Sequence, residues 1–554
     1  MTKQRLIYLP LGGAGEIGMN AYVYGWGAPG KERLILVDIG VTFPDMDTTP
    51  GVNLIMPDLG FLEENADRLE AIFITHAHED HVGAVGRLWP RLQAPVYARA
   101  FTGHLAQLKM EDAGQDPGVV NIVRPWPETV EAGPFRVSFL PISHSIPESA
   151  GLVIDSPGGR VVHSGDFKLD ADPVVGEPWD AALWREACGD KVKALVCDST
   201  NVFSPRDGRS EAELAGPIAE LVAGAPHMVV ATTFASNVAR VKTLAEAGRA
   251  AGRSVCLLGR AMRRMIEAAV KTGIVEDFPR TVTPEDARDL PRERLMLIVT
   301  GSQGERRAAS AQLSRGKYLG LSMAEGDTFL FSSKTIPGNE RAIGRILNAY
   351  SEMGIEVVAD DDRYHVSGHA NRPDLERMHA LVDPEMVIPM HGEHRHLRQH
   401  AKLAQTGGRA SMVVVNGAVC DLSGPEPHVV EHVEADRIYL DGDILIGALD
   451  GVVRDRIRLA LNGHVIVHVI LEDDAPLGDP WVETMGLPET GSSRVPLAEL
   501  LEADLGQLLM RAGRKTLADD DKLEDELRRI ARKTAQSEIG RRPEVTVVVS
   551  RLEA

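Results

Sequence analysis

Cysteine is scarce in this chain: Cys188, Cys197, Cys256 and Cys420 are the four among 554 residues. They stand far apart and form no CxxC pair, so neither a disulfide framework nor a cysteine-built zinc site is indicated. Buried, reduced thiols are expected. Long apolar runs are missing too. No window approaches the roughly 20 apolar residues a membrane span needs, and the opening MTKQRLIYLPLGG has too short an apolar run for a signal peptide. These absences predict a cytoplasmic protein. Positive charge is short as well, with 60 Lys and Arg against 80 Asp and Glu and a net charge of −20, which by itself argues against a polyanionic partner. The deficit is uneven. From Glu211 to Arg345 there are 19 Lys and Arg against 15 Asp and Glu, an excess that vanishes when the window runs on to Asp362.

What is present is ordinary for a soluble globular protein, 44% hydrophobic and 25% charged, and long enough for two to four domains. The first part alternates tight turns with short runs rich in Val, Ile, Phe and Tyr, such as NAYVYGW, RLILVDIG, AIFITHAH, FRVSFLPISH and GRVVHSGDF. They read as the strands of a sheet-built core. From about Ser210 helical stretches, EAELAGPIAELVAG and SNVARVKTLAEAGRAAG, alternate with strands MVVATT, SVCLLG and TFLFSS, the pattern of an α/β unit. Strand-and-turn character then returns in HVSGHA and MVIPMHGEHRH. An insertion follows: residues 1–209 and 363–448 form one domain in two parts, and 210–362 the insert. A linker is expected at 449–463 and a small α+β domain at 464–554, with strands HVIVHVILED and VTVVVSRL. Between them lies a helix with leucines at 497, 500, 501, 505, 508 and 509.

Gly13, Gly15 and Gly18 spell GxGxxG, with Asp38 about 20 residues on, but a dinucleotide site needs the last glycine to open a helix. Here the strand-like NAYVYGW follows. Tight turns beside an active site fit better. The densest signal is Thr75-His76-Ala77-His78-Glu79-Asp80-His81, four potential ligands directly after the apolar run AIFI. Packing does not call for that density. Histidine and aspartate together suit borderline divalent ions, and a loop leaving a strand end can aim alternate residues at two of them. His144 and Asp166 each follow a strand as well, and each alone would be structural.

In order, HxHxDH, a lone His, an Asp and a late His resemble the metallo-β-lactamase series, met by His76, His78, Asp80, His81, His144, Asp166 and His391, with Asp38 as a supporting acid. Asp198 in LVCDSTN, His369 in HVSGHA and the inserted domain resemble the β-CASP nuclease branch. GGAGEIGMN, THAHEDHVGA, TGSQGE, PGNE, HVSGHA and PMHGEHR are similar to the ribonuclease J family over roughly the first 450 residues.

That resemblance implies a metallo-β-lactamase αββα sandwich carrying an inserted α/β β-CASP domain and a small C-terminal α+β domain. It implies two divalent ions, zinc or manganese, one on His76, His78, His144 and Asp166 and the other on Asp80, His81, Asp166 and His391. Two such ions stabilise the attacking and leaving oxygens and supply hydroxide near neutral pH. The implied activity is that of a ribonuclease, 5′-to-3′ exonucleolytic and endonucleolytic, attacking RNA phosphodiesters in RNA maturation and decay, including rRNA processing and mRNA decay. Asp80, His369 and Asp198 are the catalytic candidates: His369 either protonates the leaving oxygen or only holds the phosphate, and Asp198 orients an imidazole. Ser236 and Asn237, before a helix, and Ser367, Gly368, His369 and Ala370 are candidates for a 5′-monophosphate pocket. Ser236 reads equally as a plain helix cap. Arg260, Arg263 and Arg264 line the path to that pocket or form a solvated face, while His394, His396 and His400 are expected to be surface or supporting groups rather than ligands. Glu393 would orient a ligand. Single-stranded RNA is the expected partner, with other RNA-decay proteins, and a homodimer or homotetramer is expected through the C-terminal segment. A DNA-directed nuclease would share the ions but lack contacts that depend on the ribose 2′-OH. A lactamase or lactonase would not need so large an insert, and a non-catalytic scaffold would have lost ligands. None is missing.

Overall fold

The computed structural model describes residues 4–336 and 338–552. They form two compact units, one of residues up to Thr42 and Met56–Arg437, the other of Phe43–Ile55 and the chain from Ile438 on. Among the described residues no helix is long and apolar enough to cross a membrane.

In the first unit an eight-stranded sheet, centred on Arg5–Gly12, Ala21–Gly27, Arg33–Val37 and Leu69–Ile74, faces a seven-stranded sheet. Strand Ala21–Gly27 occupies the stretch where a dinucleotide fold would need a helix. Tyr8, Tyr22, Ile35 and Phe73 from the first sheet pack against Phe139, Leu152, Val161, Val196 and Ile388 from the second. The second sheet contains three parallel neighbours, Gly159–His163, Ala194–Asp198 and Met386–Met390. Their register matters for function, because parallel strands in step end at one edge, and the segments bearing Asp166, Asp198 and His391 leave from that edge. Strand Ala194–Asp198 lies between the other two, buried throughout, as its continuous apolar run ALVCD requires. Helices Ala181–Cys188, Arg372–Val382 and His394–Thr406 supply side chains to the apolar layer on the outer face.

The insert is a parallel sheet in the order Ser254–Leu258, Leu295–Val299, Val229–Thr232, Thr328–Phe331, Glu356–Val358, with one apolar cluster on each face. Its first helical stretch starts at Ser210, whose capping box with Glu213 opens Glu211–Leu214 ahead of Ala215–Gly224. The insert is fastened by a buried ion pair. Arg240, fully buried, donates to Glu211 Oε2 at 3.0 Å, to the carbonyl of Ser332 at 2.9 Å and to that of Tyr364 at 3.2 Å.

In the second unit strand His464–Glu472 runs antiparallel to Trp481–Met485 and parallel to Glu544–Leu552. Its residues alternate in burial. Leu497, Leu501, Leu505 and Leu509 of helix Leu497–Arg511 cover the buried face together with Leu523, Leu527 and Ala531 of helix Asp520–Ile539. The stretch expected as a linker instead holds the helix Val452–Asn462. VVRDRIRLALN sets Val453, Ile457 and Leu461 at the i, i+4, i+8 spacing of a helix face, although only Val453 of them is buried. The compact division also falls at Arg437, before the expected 448.

Arg240→Ala leaves the Glu211 carboxylate buried without its partner, which costs about 3–5 kcal/mol. Denaturant melts should show that loss, and the double replacement Arg240→Met, Glu211→Leu should recover most of it; a single variant as stable as the parent would show the pair to be dispensable.

Candidate metal centre

The loop after strand Leu69–Ile74 is held in place by backbone pairing before any side chain acts. The amides of Ile39 and Val41 donate to the carbonyls of His81 and Glu79 at 2.8 and 3.0 Å, and Asn20 N–H donates to the carbonyl of Asp80 at 2.9 Å. Gly40 is required at this crossing, because a Cβ there would collide with the carbonyl of Asp80. Asp38 sits at φ 64° and His391 at φ 49°, left-handed positions that are strained for residues other than glycine. The fold holds both there.

Two donor groups result. His76, His78 and His144 converge, with His78 Nδ1 at 3.1 Å from both His76 Nε2 and His144 Nε2. Asp80, His81, Asp166 and His391 form the other: His391 Nε2 lies 3.2 Å from Asp80 Oδ2, and His81 Nε2 lies 3.2 Å from Asp166 Oδ2. Asp166 Oδ2 is also 3.9 Å from His76 Nε2 and 3.9 Å from His144 Nε2. One carboxylate therefore faces both groups.

The supporting contacts decide which nitrogen faces inward. Asp38 accepts from the Thr75 amide and hydroxyl at 2.8 Å each and stands 2.7 Å from His81 Nδ1. His144 Nδ1 donates to the carbonyl of Gly368 at 2.6 Å, and Thr200 Oγ1 lies 3.0 Å from His391 Nδ1. Such partners fix the ring orientation of metal-binding histidines. Burial keeps His76 and His144 neutral, pushing their pKa values well down, and brings His78 to about 4. In the second group burial is outweighed. The surrounding carboxylates, Asp166 first, raise His81 to about 10 and His391 well above its usual range, while those two imidazoles, His391 first, hold Asp166 low. Without cations, protons fill the gaps between donors.

The donor set fits divalent ions. Its chemistry is imidazole and carboxylate at closely spaced atoms in a nearly dry site, where Asp166 Oδ1, buried, faces His391 Nδ1 at 3.1 Å without a well-aligned hydrogen bond. Beside it, His369 Nδ1 pairs with Asp198 Oδ2 at 2.8 Å, and Asp198 raises the His369 pKa against the effect of burial.

Other expected residues are placed differently from one another. Asn237 rather than Ser236 caps helix Val238–Ala250, its Oδ1 accepting from the Arg240 amide at 2.9 Å, so the capping reading of Ser236 is corrected and that oxygen of Asn237 is already engaged. Ser367 Oγ accepts from the His369 amide at 3.1 Å and from Asn201 at 2.7 Å. The carbonyl of Gly368 serves His144, and the Ala370 side chain lies in the apolar core. Arg260, Arg263 and Arg264 line, with Lys109 and Lys271, a cavity of about 750 Å³ whose wall includes Ala77 and Glu79 of the ligand loop. His394 and Glu393 are exposed, whereas His396 and His400 are buried apart from both donor groups. Sequence reasoning passes over Asn20, Thr75, Thr200 and Asn201. Each lies inside a motif that carries the resemblance, and short polar residues flanking ligands are the available signal.

Family models match along the chain: the metallo-beta-lactamase superfamily at residues 14–197, the ribonuclease J beta-CASP domain at 226–350, the Zn-dependent metallo-hydrolase RNA specificity domain at 354–414 and the ribonuclease J C-terminal domain at 451–552. A ribonuclease J of Sinorhizobium meliloti is 40% identical over 99% of this chain and 98% of its own length. Those of Corynebacterium glutamicum and Thermus thermophilus are 35% and 32% identical, over 90% and 84% of this chain and 70% and 82% of their own lengths. A solved protein of unknown function from Enterococcus faecalis, 15% identical, superposes with a TM-score of 0.53 over 75% of this chain and 100% of its own, a likeness of fold.

Elemental analysis of dialysed protein should show one ion fewer per chain in His78→Ala and both gone in Asp166→Ala; full retention in His78→Ala would break the grouping. Because ligands bind deprotonated and His81 keeps its proton up to about 10 in the ion-free site, ion uptake should release protons and weaken as pH falls. Calorimetry in buffers of different protonation enthalpy reads that release directly, and buffer-independent heats would contradict it.

Proposed function

The chain belongs to the ribonuclease J family, and on that premise we propose that it is a metal-dependent ribonuclease with 5′-to-3′ exonuclease and endonuclease activity, favouring a 5′-monophosphate end. The observation that carries the reading is the Asp166 carboxylate facing two donor groups, with the His369–Asp198 pair alongside. His76, His78, His144 and Asp166 would hold one ion, and Asp80, His81, Asp166 and His391 a second, zinc or manganese. Bound there, divalent ions supply Lewis-acid activation of water and neutralise charge at the phosphate.

The chain's own residues do the rest. Asp198 binds the His369 Nδ1 proton and so turns Nε2 outward, where an N–H can reach the leaving oxygen of the scissile phosphate. The His369 loop cannot swing freely. Tyr364 and Val366 before it are buried in the core of the insert and Ala370 after it in the outer core of the sheet sandwich. The cavity lined by Arg260, Arg263 and Lys271 supplies positive charge next to the ligand loop, as a phosphate chain approaching that loop requires. At the N-terminus of helix Val238–Ala250 the amides of Val238 and Arg240 already donate to Ser236 and Asn237, so a terminal phosphate there would rely on the Ser236 hydroxyl and the Ala239 amide. On the second unit Trp481, Met485 and Val548 are exposed apolar side chains on the two strands that flank His464–Glu472, which supports self-association there.

The test incubates the protein with matched 5′-monophosphate and 5′-triphosphate RNAs and a matching DNA, with and without chelator. Chelator-sensitive release of mononucleotides from the monophosphate RNA is expected; intact RNA beside digested DNA would replace the reading with a DNA nuclease. His369→Ala should lower kcat by about 10²–10⁴ with little change in KM. A substrate with a more acidic leaving group should recover most of that loss, and no recovery would leave His369 as a phosphate holder.

A further inference from the structure

Outside the catalytic centre one other group of potential ligands comes together among the described residues. Cys197 on strand Ala194–Asp198, His379 on helix Arg372–Val382 and His400 on helix His394–Thr406 place one donor atom each within 4.8 Å of one another. Cys197 and His400 are fully buried and His379 is 3% exposed. Around them the layer is apolar, built from Leu375, Met378, Val382 and Ala404.

We propose that Cys197, His379 and His400 form a structural metal site for an ion of the Zn(II) class, separate from the catalytic centre. The two imidazoles present Nε2 to Nε2 at 3.0 Å, with ring centroids 5.1 Å apart. In the catalytic group the corresponding separations are 3.1 Å between nitrogens and 4.8–4.9 Å between centroids, with the rings edge to face at 80° where those of His379 and His400 are near-parallel at 8°. A zinc ion bound at about 2.0–2.1 Å by each nitrogen needs them only a few tenths of an ångström further apart. His400 has the supporting partner that metal-binding histidines use: its Nδ1 lies 2.9 Å from Ser199 Oγ, which leaves the Nε2 lone pair for the cluster. One thiolate and two imidazoles select a borderline or soft ion over magnesium or calcium.

Three polar side chains in a dry apolar layer are costly when a single N–H···N bond and a weak thiol are all they share. Coordination would satisfy all three donors at once, and the bonds to the ion would offset the charge it brings. On binding, the Cys197 thiol would give its proton to solvent and His379 would move its Nε2 proton to Nδ1, freeing both Nε2 lone pairs and the thiolate for the ion, so net positive charge in the layer rises by one rather than two. The ion would staple the strand end that presents Asp198 to both helices. This inference does not depend on the substrate being RNA.

The catalytic ligands are nitrogen and oxygen only, so a thiolate-to-cobalt charge-transfer band in the near ultraviolet reports this site alone. The full chain, produced in cobalt-supplemented minimal medium, should show that band. Cys197→Ser should abolish it while keeping the visible cobalt bands of the catalytic centre, and His78→Ala should keep it. His379→Gln, which leaves the thiol in place, should weaken or shift it and serves if Cys197→Ser does not fold. Metal content should be one ion higher than the catalytic centre alone accounts for. A parent protein with no thiolate band, or a band that survives Cys197→Ser, overturns the site and leaves a hydrogen-bonded histidine pair.

Discussion

Everything in the first unit is arranged around the burial of one carboxylate. Asp166 is 1% exposed, and a carboxylate taken out of water costs several kcal/mol unless positive charge or hydrogen bonds replace the solvent. Four imidazoles come within 3.9 Å of it. Two of them, His81 and His391, take up protons in the absence of cations, and two, His76 and His144, stay neutral. That asymmetry follows from the acids nearby: Asp38 and Asp80 stand on the side of His81 and His391, while the other group has no carboxylate of its own.

Assembling this from distant segments requires the sheet edge and the insert together. Parallel register brings Val162 beside Leu195 and Cys197 beside Pro389, so that the turns after those strands open side by side. The five residues Cys197 to Asn201 then distribute contacts in several directions. Asp198 reaches His369, Ser199 reaches His400, Thr200 reaches His391 and Asn201 reaches Ser367. His369 itself arrives from the far end of the insert. Ser332 Oγ donates to the carbonyl of Tyr364 at 2.6 Å and Arg240 donates to the same carbonyl, so the position of the insert's sheet is passed to a residue beside Asp166. An insert held this way helps set where His369 stands, and its buried ion pair reaches that segment through the Tyr364 carbonyl.

The ligand series is legible in sequence because metal chemistry forces residue types into short patterns: His76 to His81 cannot be mistaken for core or ordinary loop. Strand character returns after the insert at MVIPM, which becomes Met386–Met390 beside Ala194–Asp198, whereas HVSGHA forms a loop without a strand. What stays hidden is what tertiary structure alone decides. Asn237 instead of Ser236 caps its helix because the chain turns one residue later, and sequence places helix starts only to within a few residues. The helix at Val452–Asn462 carries apolar spacing at Val453, Ile457 and Leu461 that the expected linker passed over, and in the fold it buries only Val453. The Cys197 cluster escapes a search for CxxC spacing because its partners are histidines on helices far down the chain, and one of them, His400, carries no sequence mark beyond that of a surface or supporting group.

A chain with a net charge of −20 can still serve a polyanion, because net charge is a far-field property and salt limits its reach. At physiological ionic strength the Debye length is about 8 Å, shorter than the distance from most of the surface acids to any one site in a protein of this size. Local balance is what a phosphate meets. Around the cavity beside the ligand loop, Lys109 is paired with Glu79 and Arg264 with Asp112 at 2.9 Å, and these pairs cancel most of their own field. Arg260, Arg263 and Lys271 are the remaining basic residues of that wall, and Glu267 offsets one of them. The attraction of that wall by itself is therefore modest. A site of this kind draws little affinity from general phosphate contacts and more from the few groups at its centre, so the acidic remainder of the chain discourages binding elsewhere without weakening the site itself.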